Sequence, residues 1–176
     1  MLYLCYNNGA YMNTGIQRSS ATPHGAWTTT TPVKHYKKGG KKDIDSIMVN
    51  HGIPYVATGS ISHPEDLVRK YKKAKEMKGT KFIHVYAPCP TGWKSNPADT
   101  VEIAKMAVSS RVFPIFEVEN GKYKINIKPK KPTPVKDYLA KQGRFKHLPQ
   151  EEVDFIQGKV DEKWEILLKK EEMFGE

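Results

Sequence analysis

The chain has 176 residues, 38% of them hydrophobic, and its 29 Lys and Arg against 19 Asp and Glu give a net charge of +10 at pH 7. This length and hydrophobic share predict one folded domain with its own core and exclude a disordered chain. No apolar run approaches the ~20 residues of a membrane span, no secretory leader is recognisable, and two cysteines cannot build a disulfide framework, so we expect a cytoplasmic protein without a membrane partner.

The positive charge would suit polyanionic partners, among them nucleic acids and small diphosphates. Much of it lies in the lysine-rich stretch 34–42 and in the C-terminal third of the chain. Lysines scattered in this way are typical of a solvated surface, and no zinc-finger, helix-turn-helix or RNA-stacking motif occurs in the sequence. Nucleic acid is therefore not an expected partner, and a nucleic-acid binder remains an alternative that rests on charge alone.

The first predicted element is a strand over residues 2–6, whose unbroken apolar and aromatic run is typical of a strand buried on both faces. Residues 7–42 lack apolar periodicity, and a loop of this length in a compact domain is usually functional. Asp43 can cap a helix over 44–51, and residues 53–58 have the composition of a second strand.

The segment Ser62–Glu65 has the form of a capping box before a helix that ends near Gly79. A third buried strand is predicted over 82–87. A further helix begins at Asn96-Pro97, and its inward face is expected to carry Val101, Ala104 and Val108.

The dipeptide Asn120-Gly121, set between two alternating segments, is a strong signal of a type I′ hairpin. From Lys128 the composition changes to an extended linker rich in lysine and proline. A short helix near 135–142 follows, and then a longer one after Pro149, whose predicted apolar face comprises Val153, Ile156, Val160, Trp164 and Leu167.

This order of elements predicts an α/β protein with parallel strands joined by crossover helices, a C-terminal hairpin and a helical tail. Residues 1–127 are expected to form the α/β part, and residues 128–176 the linker and helical tail. Only a few parallel strands are present, so we expect the sheet to be part of a larger one.

Ligands of such sheets bind beyond the carboxyl ends of the strands. The loop over residues 7–15, which follows the first strand, offers amide oxygens and hydroxyls, hard ligands that suit Mg²⁺ held jointly with a diphosphate. The alternative is a polar loop that uses Asn and Gly for turn geometry. Cys89 follows the third strand without a Cys-x-x-Cys partner, and it is either a metal ligand or a small buried hydrophobe.

Several segments together resemble the beta subunits of 2-oxoacid:ferredoxin oxidoreductases, in particular those of the pyruvate synthase type. They recur in the order of that family and extend over essentially the whole chain: residues 11–23, 25–30, 54–58, 87–93, 116–123 and 142–146. The Gly-Asp-Gly motif of the family, whose Asp ligates Mg²⁺, does not occur here. The resemblance is therefore to the C-terminal half of the thiamine-diphosphate-binding subunit, an incomplete three-layer fold with a parallel sheet.

The resemblance implies thiamine-diphosphate-dependent oxidative decarboxylation of pyruvate to acetyl-CoA and CO₂, with electrons passed to ferredoxin. It implies as partners coenzyme A, the other oxidoreductase subunits and a chain that supplies the missing half of the beta subunit. The isolated chain is then expected to be inactive. A branched-chain 2-oxoacid remains an alternative substrate, and a non-catalytic remnant or interaction module of the same fold remains an alternative function.

The resemblance also assigns roles to residues of the first loop. The side chain of Asn8 and the carbonyl of Ala10 correspond to ligands of Mg²⁺. Asn13 corresponds to the catalytic asparagine that faces the reactive end of the cofactor and the substrate, and Tyr11 and Thr14 belong to the same cofactor-binding loop.

Cys89 corresponds to one cysteine of a [4Fe–4S] cluster. Thiolates normally occupy all ligand sites of such a cluster, so the remaining cysteines would have to come from another chain. The loop also departs from the family pattern, which usually has an acid in place of Asn7 and a glutamate in place of Gly9.

Overall fold

A five-stranded sheet organises the computed structural model, which describes residues 1–175. The strands are β1 (Leu2–Asn7), β2 (Tyr55–Ser60), β3 (Lys81–Tyr86), β4 (Phe116–Glu119) and β5 (Lys122–Ile125). Their order across the sheet is β1-β3-β2-β4-β5. The first three run parallel, whereas β4 and β5 join antiparallel at the far edge. The predicted α/β class with a C-terminal hairpin is confirmed.

Helices connect these strands and complete the chain. They are α1 (Ile44–Asn50), α2 (Pro64–Glu76), α3 (Pro90–Trp93), α4 (Thr100–Ser109), α5 (Val135–Ala140) and α6 (Gln150–Phe174), with 3₁₀ turns at Val33–His35, Pro97–Asp99 and Gly143–Phe145. None of the helices described within residues 1–175 combines the length and apolarity that a transmembrane helix requires.

Strand β1 forms one edge of the sheet, where β3 is its partner. Tyr3 and Tyr6 are 56% and 68% exposed, so the expectation that this strand is buried on both faces is wrong for this chain. Leu2 and Leu4 do pack inward, against the cluster that contains Ile83. Successive side chains of a strand point to opposite faces, so Tyr3 and Tyr6 lie on different faces of the sheet, and neither face is fully covered at this edge.

Helix α2 begins one residue later than the capping box requires. Its first helical residue is Pro64, and His63 stands at the N-cap without a side-chain hydrogen bond to the helix. The Ser62 hydroxyl instead lies 2.9 Å from the Ser60 hydroxyl and from His63 Nδ1. The capping-box prediction is therefore wrong, because a proline is best accommodated at the first helical position and fixes the start of the helix there.

Helix α4 buries a face that only partly agrees with the expected one. Ala104 and Val108 lie in the core together with Ile103 and Ala107, whereas Val101 is 58% exposed. Val101 is the second residue of the helix and lies at the rim of the buried face, where the core does not cover it. The inward assignment of Val101 is wrong for this reason.

The hairpin and the tail form as the sequence predicts. Asn120 and Gly121 both have positive φ, +50° and +84°, as a type I′ turn requires. Trp164 and Leu167 of α6 are buried against Ile125 of β5. The tail thus packs on the hairpin, while the division of the chain at residue 128 stays a prediction.

The long loop between β1 and α1 is fastened by polar contacts. His24 Nε2 lies 2.6 Å from Glu152 Oε2 on α6, and the Tyr36 hydroxyl donates to Glu152 Oε1 at 2.9 Å. The buried ammonium of Lys37 donates to the carbonyl of Thr22 at 2.5 Å. The two contacts to Glu152 hold the loop against the helical tail, and the contact of Lys37 joins two parts of the loop itself.

A buried carboxylate ties β2, β4 and α2 together. Glu117 is 2% exposed and accepts hydrogen bonds from the Tyr55 hydroxyl at 2.6 Å and from Asn126 Nδ2 at 3.2 Å. Lys73 Nζ and Arg69 Nη1 lie 3.5 and 3.3 Å from its oxygens. Burial opposes ionisation, but these hydrogen bonds and positive charges outweigh it and lower the pKa of Glu117 to about 2.

Replacement of Glu117 by Gln should lower the free energy of unfolding by about 1–3 kcal/mol, because it removes charged hydrogen bonds from a buried site. The ionised carboxylate contributes fully to the free energy of unfolding above its unfolded-state pKa of about 4.3. This contribution is lost as the pH falls from there through about 2, the pKa of Glu117 in the folded chain. Urea unfolding between pH 7 and pH 3 measures both effects. Glu119→Gln, on the same strand but 41% exposed at its side chain, is the control, and an equal loss in both variants would contradict the account.

Candidate functional site

The carboxyl ends of β1 and β3 lie side by side and carry their loops to one edge of the sheet. Asn7 is paired with Tyr86, and its carbonyl accepts a hydrogen bond from the backbone of Ala87 at 3.0 Å. One residue further, the Trp93 indole N–H donates to the carbonyl of Asn8 at 2.7 Å. The loop after β1 and the loop that contains Cys89 are thus adjacent, both at the edge where the sequence analysis expects a ligand site.

A chain of buried hydrogen bonds supports the start of the first loop. His84, fully buried in β3, lies with Nδ1 2.8 Å from Asp45 Oδ1 and with Nε2 2.8 Å from Asn7 Nδ2. The other amide atom, Asn7 Oδ1, accepts from the backbone N–H of Gly9 at 2.9 Å. Because the Asn7 NH₂ group only donates, Nε2 of His84 is assigned as the acceptor and Nδ1–H as the donor to Asp45.

Gly9 shows why the backbone turns sharply at this point. Its φ is +78°, a conformation that favours glycine, and a Cβ there would lie 3.0 Å from Arg144 Nη1. The side chain of Asn7 therefore holds the loop from one side, and Arg144 closes the space on the other.

Asn8 and Ala10, the two predicted Mg²⁺ ligands, lie next to each other on this turn. Asn8 Oδ1 makes a long hydrogen bond of 3.4 Å to the N–H of Ala10. The carbonyl oxygen of Ala10 accepts no hydrogen bond from residues 1–175. Mg²⁺ takes six oxygen ligands, often from substrate phosphates and water as well as protein. These two neutral oxygens fit a Mg²⁺ ion that obtains its other ligands elsewhere.

Tyr11, Asn13 and Thr14 form a small exposed loop beyond the turn. Tyr11 and Gln17 close it with two backbone hydrogen bonds of 2.9 and 3.2 Å. The Thr14 hydroxyl donates to Gln17 Oε1 at 2.6 Å, and Gln17 Nε2 donates to the Thr14 carbonyl at 2.7 Å. Within residues 1–175, no hydrogen bond holds the side chain of Asn13, which is exposed at the tip of the loop and available to a ligand.

The end of this loop carries backbone strain. Ile16 has φ +66°, which is costly for a β-branched residue and is found where the surroundings enforce it. Thr29 supplies that constraint, since its N–H donates to the Ile16 carbonyl at 3.0 Å and its hydroxyl to the Gly15 carbonyl at 2.8 Å. Strain of this kind is concentrated at ligand-binding loops.

Cys89 is the only predicted cluster ligand in the chain, and it lies half-buried against the main core. Cys5 packs in a different apolar cluster, beside Val56 and Phe82. Over the described range 1–175 no three His, Cys, Asp or Glu side chains are grouped so as to hold a metal ion. A four-iron cluster therefore does not fit this chain alone, and Cys89 can supply at most one of its thiolates.

Sequence reasoning did not identify His84, Asp45 or Arg144 as parts of this site. One available signal was a histidine inside an otherwise apolar strand. A second was the segment 142–146, which the resemblance included without a role for its arginine.

Comparison with known proteins gives the site its context. Residues 1–85 match the family model described as thiamine pyrophosphate enzyme, C-terminal TPP binding domain. Ketoisovalerate oxidoreductase subunit VorB of Pyrococcus abyssi is 52% identical over 179 residues, which cover 99% of this chain and 58% of that protein. Pyruvate synthase subunit PorB of Methanocaldococcus jannaschii is 51% identical over 170 residues, with 95% of this chain and 57% of that protein covered.

A solved structure agrees with these relatives. It is the 2-oxoglutarate:ferredoxin oxidoreductase from Magnetococcus marinus with 2-oxoglutarate, coenzyme A and succinyl-CoA bound, with a TM-score of 0.50 and 28% sequence identity. The match covers 58% of this chain and 33% of that one. The chain spans less than two thirds of the length of each of these relatives.

Variants of Asn7 and Asn8 should differ in stability, because Asn7 supports the fold of the loop whereas the side chain of Asn8 is proposed to bind a ligand. Asn7→Leu leaves Nε2 of His84 and the N–H of Gly9 without partners in a buried site and should cost about 2–4 kcal/mol of unfolding free energy. Asn8→Ala removes only a long hydrogen bond and should cost no more than about 0.5 kcal/mol. Urea unfolding of the two variants tests this, and equal losses would refute the role of the buried chain.

Proposed function

This chain is a homologue of the PorB and VorB subunits of 2-oxoacid:ferredoxin oxidoreductases and carries sequence of a thiamine pyrophosphate-binding domain, and on that premise we propose that it works in the oxidative decarboxylation of a 2-oxoacid. In this proposal the chain acts in the cytoplasm and forms one half of the cofactor site, at the carboxyl ends of β1 and β3. Another chain supplies the remaining half, and the other oxidoreductase subunits complete the enzyme.

The observation that carries the proposal is the pair of oxygens on the turn after β1. Asn8 Oδ1 accepts from the N–H of Ala10 on this turn, at the edge where such sheets bind ligands, and the carbonyl oxygen of Ala10 accepts no hydrogen bond within residues 1–175. Both are hard ligands of the kind that Mg²⁺ prefers. In the proposal they hold the Mg²⁺ of a bound diphosphate, and Tyr11 and Thr14 contact the cofactor.

Bound thiamine diphosphate supplies the nucleophilic carbon for decarboxylation of the 2-oxoacid. Asn13, exposed and without a hydrogen bond within the described chain, orients the substrate with its amide. The buried hydrogen bonds of Asn7 and the indole of Trp93 fix the backbone of Asn8, so the metal ligands need not reorganise when the cofactor binds. Cys89 provides one thiolate to an iron–sulfur cluster whose other ligands belong to a different chain.

Pyruvate is the proposed substrate, with coenzyme A as acyl acceptor and ferredoxin as electron acceptor. The relatives at 52% and 51% identity are named for ketoisovalerate and for pyruvate respectively, so a branched-chain 2-oxoacid is the second candidate. The test below includes both acids.

The chain, co-expressed with the subunits of its oxidoreductase, should reduce ferredoxin in the presence of pyruvate, coenzyme A, thiamine diphosphate and Mg²⁺. Asn13→Ala should lower kcat by about 10²-fold or more, as expected when a preorganised polar contact to reacting atoms is lost. Asn8→Ala should raise the Mg²⁺ concentration that gives half-maximal activity, and Asn50→Ala, exposed at the end of α1, is the control. A complex inactive with pyruvate and with 2-oxoisovalerate would favour the non-catalytic alternative.

The purified chain alone should contain no iron–sulfur cluster after anaerobic reconstitution, because Cys89 has no neighbouring thiolates in residues 1–175. Iron and sulfide analysis with visible absorption measures this. In the complex, Cys89→Ala should abolish electron transfer to ferredoxin, whereas Cys5→Ala should not. A stoichiometric four-iron cluster in a monomer would contradict the assignment.

A further inference from the structure

A cavity of about 90 Å³ lies behind the loop that follows β1. Arg144, Lys41 and His24 contribute to its wall, together with the aromatic residues Tyr86 and Tyr138. Among the described residues 1–175, no aspartate or glutamate lines it. At about 30 Å³ per water molecule, the space holds about three waters or one small organic ion. We name it the cationic cavity.

Arg144 is the most deeply buried charge of the cationic cavity. It is 2% exposed, and its guanidinium carbon lies 4.0 Å from the centre of the Trp93 ring. Its Nε and Nη2 both donate to Gln142 Oε1, at 3.0 and 2.8 Å. That partner is neutral, and no carboxylate of the described chain pairs with the guanidinium. A buried cation without a counter-charge is costly, so the site favours an anion.

Lys41 is the second cation of the cavity, and it too lacks an anionic partner. Its Nζ lies 5.3 Å from the centre of the Phe113 ring, and no hydrogen bond or ion pair reaches that nitrogen from residues 1–175. Burial lowers the pKa of Lys41, although the charge of Asp45 opposes this. By contrast, the buried Lys70 is paired with Asp66 at 2.7 Å. The fold thus neutralises a buried lysine elsewhere but leaves the cavity positive.

The two tyrosines add a donor to the wall. The hydroxyls of Tyr86 and Tyr138 are hydrogen-bonded to each other. Because one hydroxyl donates to the other, the accepting hydroxyl keeps its own proton for a further partner. On the other side of the guanidinium, Arg144 Nη1 lies beside Gly9, 3.0 Å from where a Cβ of that residue would be, and both residues line the cavity. The wall therefore offers an ammonium, a guanidinium edge and a phenol as donors.

We propose that the cationic cavity binds a small monocarboxylate of the size of formate or acetate. A carboxylate accepts hydrogen bonds only, and its planar oxygens match the edge of a guanidinium. A volume of about 90 Å³ can enclose such an ion but is too small to enclose a bulky sulfonate. The proposed cofactor-binding residues Asn8, Ala10 and Asn13 do not line the cavity, whereas Asn7 and Gly9, which support their turn, do.

Thermal unfolding of the full chain, purified with any subunits that accompany it, tests the proposal. Sodium acetate, sodium formate and the sodium salt of a bulky sulfonate buffer are compared at equal pH and ionic strength. Acetate and formate should raise the unfolding midpoint with the logarithmic concentration dependence of a bound ligand, and the sulfonate should not. An equal rise with the sulfonate would show a general salt effect and overturn the proposal.

Variants locate the binding. Lys41→Met should abolish the acetate-dependent rise, whereas Lys42→Met, which removes the same charge from the exposed neighbouring residue, should retain it. Gly9→Ala provides a second route, because its Cβ would enter the space 3.0 Å from Arg144 Nη1 and reduce the acetate effect. An undiminished rise in both Lys41→Met and Gly9→Ala would place the ion elsewhere and overturn the proposal.

Discussion

The parallel pairing of β1 with β3 is the constraint on which the candidate site depends. It brings Asn7 beside the end of β3, so that a side chain of the first strand can bond to His84 of the other. That contact continues to Asp45 on one side and to the N–H of Gly9 on the other. Because Asn7 and His84 are both buried, loss of either side chain leaves the other with an unpaired polar atom that water cannot reach. The turn that carries Asn8 and Ala10 is therefore fixed before any ligand arrives.

The positive charge of the chain is not only a property of its surface. Lys37, Lys70 and Arg144 are among its buried residues. The first two are satisfied by carbonyl oxygens, and Lys70 also by a carboxylate. Arg144 donates to a neutral amide and lies beside the hydroxyls of Tyr86 and Tyr138, and no carboxylate within residues 1–175 pairs with it. A buried positive charge is stable only where hydrogen bonds or a bound ion replace its water. The cationic cavity differs in this respect from the exposed helices, whose lysines are solvated.

The site has a buried part that supports the loop and an exposed part that is available to a ligand. Asn7, His84 and Trp93 are buried and act on the backbone of the loop, whereas Asn13 and Tyr11 are exposed and have their polar side-chain atoms available. The strained residue Ile16 ends the exposed loop, and a hydrogen bond from Thr29 restrains it. Such a division is typical of binding sites in which a rigid support presents a few accessible groups.

The sequence by itself determined the order of the elements, the Asn120-Gly121 hairpin, the apolar face of the tail and the polar loop after the first strand. These features are local, since periodicity and turn chemistry act over a few residues. Only the tertiary structure decided the order of the strands across the sheet, that Val101 points to solvent, and that Asp45, His84 and Arg144 support the loop. Those outcomes depend on contacts between residues far apart in the chain, such as the 39 positions that separate Asp45 from His84, and no local pattern records which distant side chains will meet.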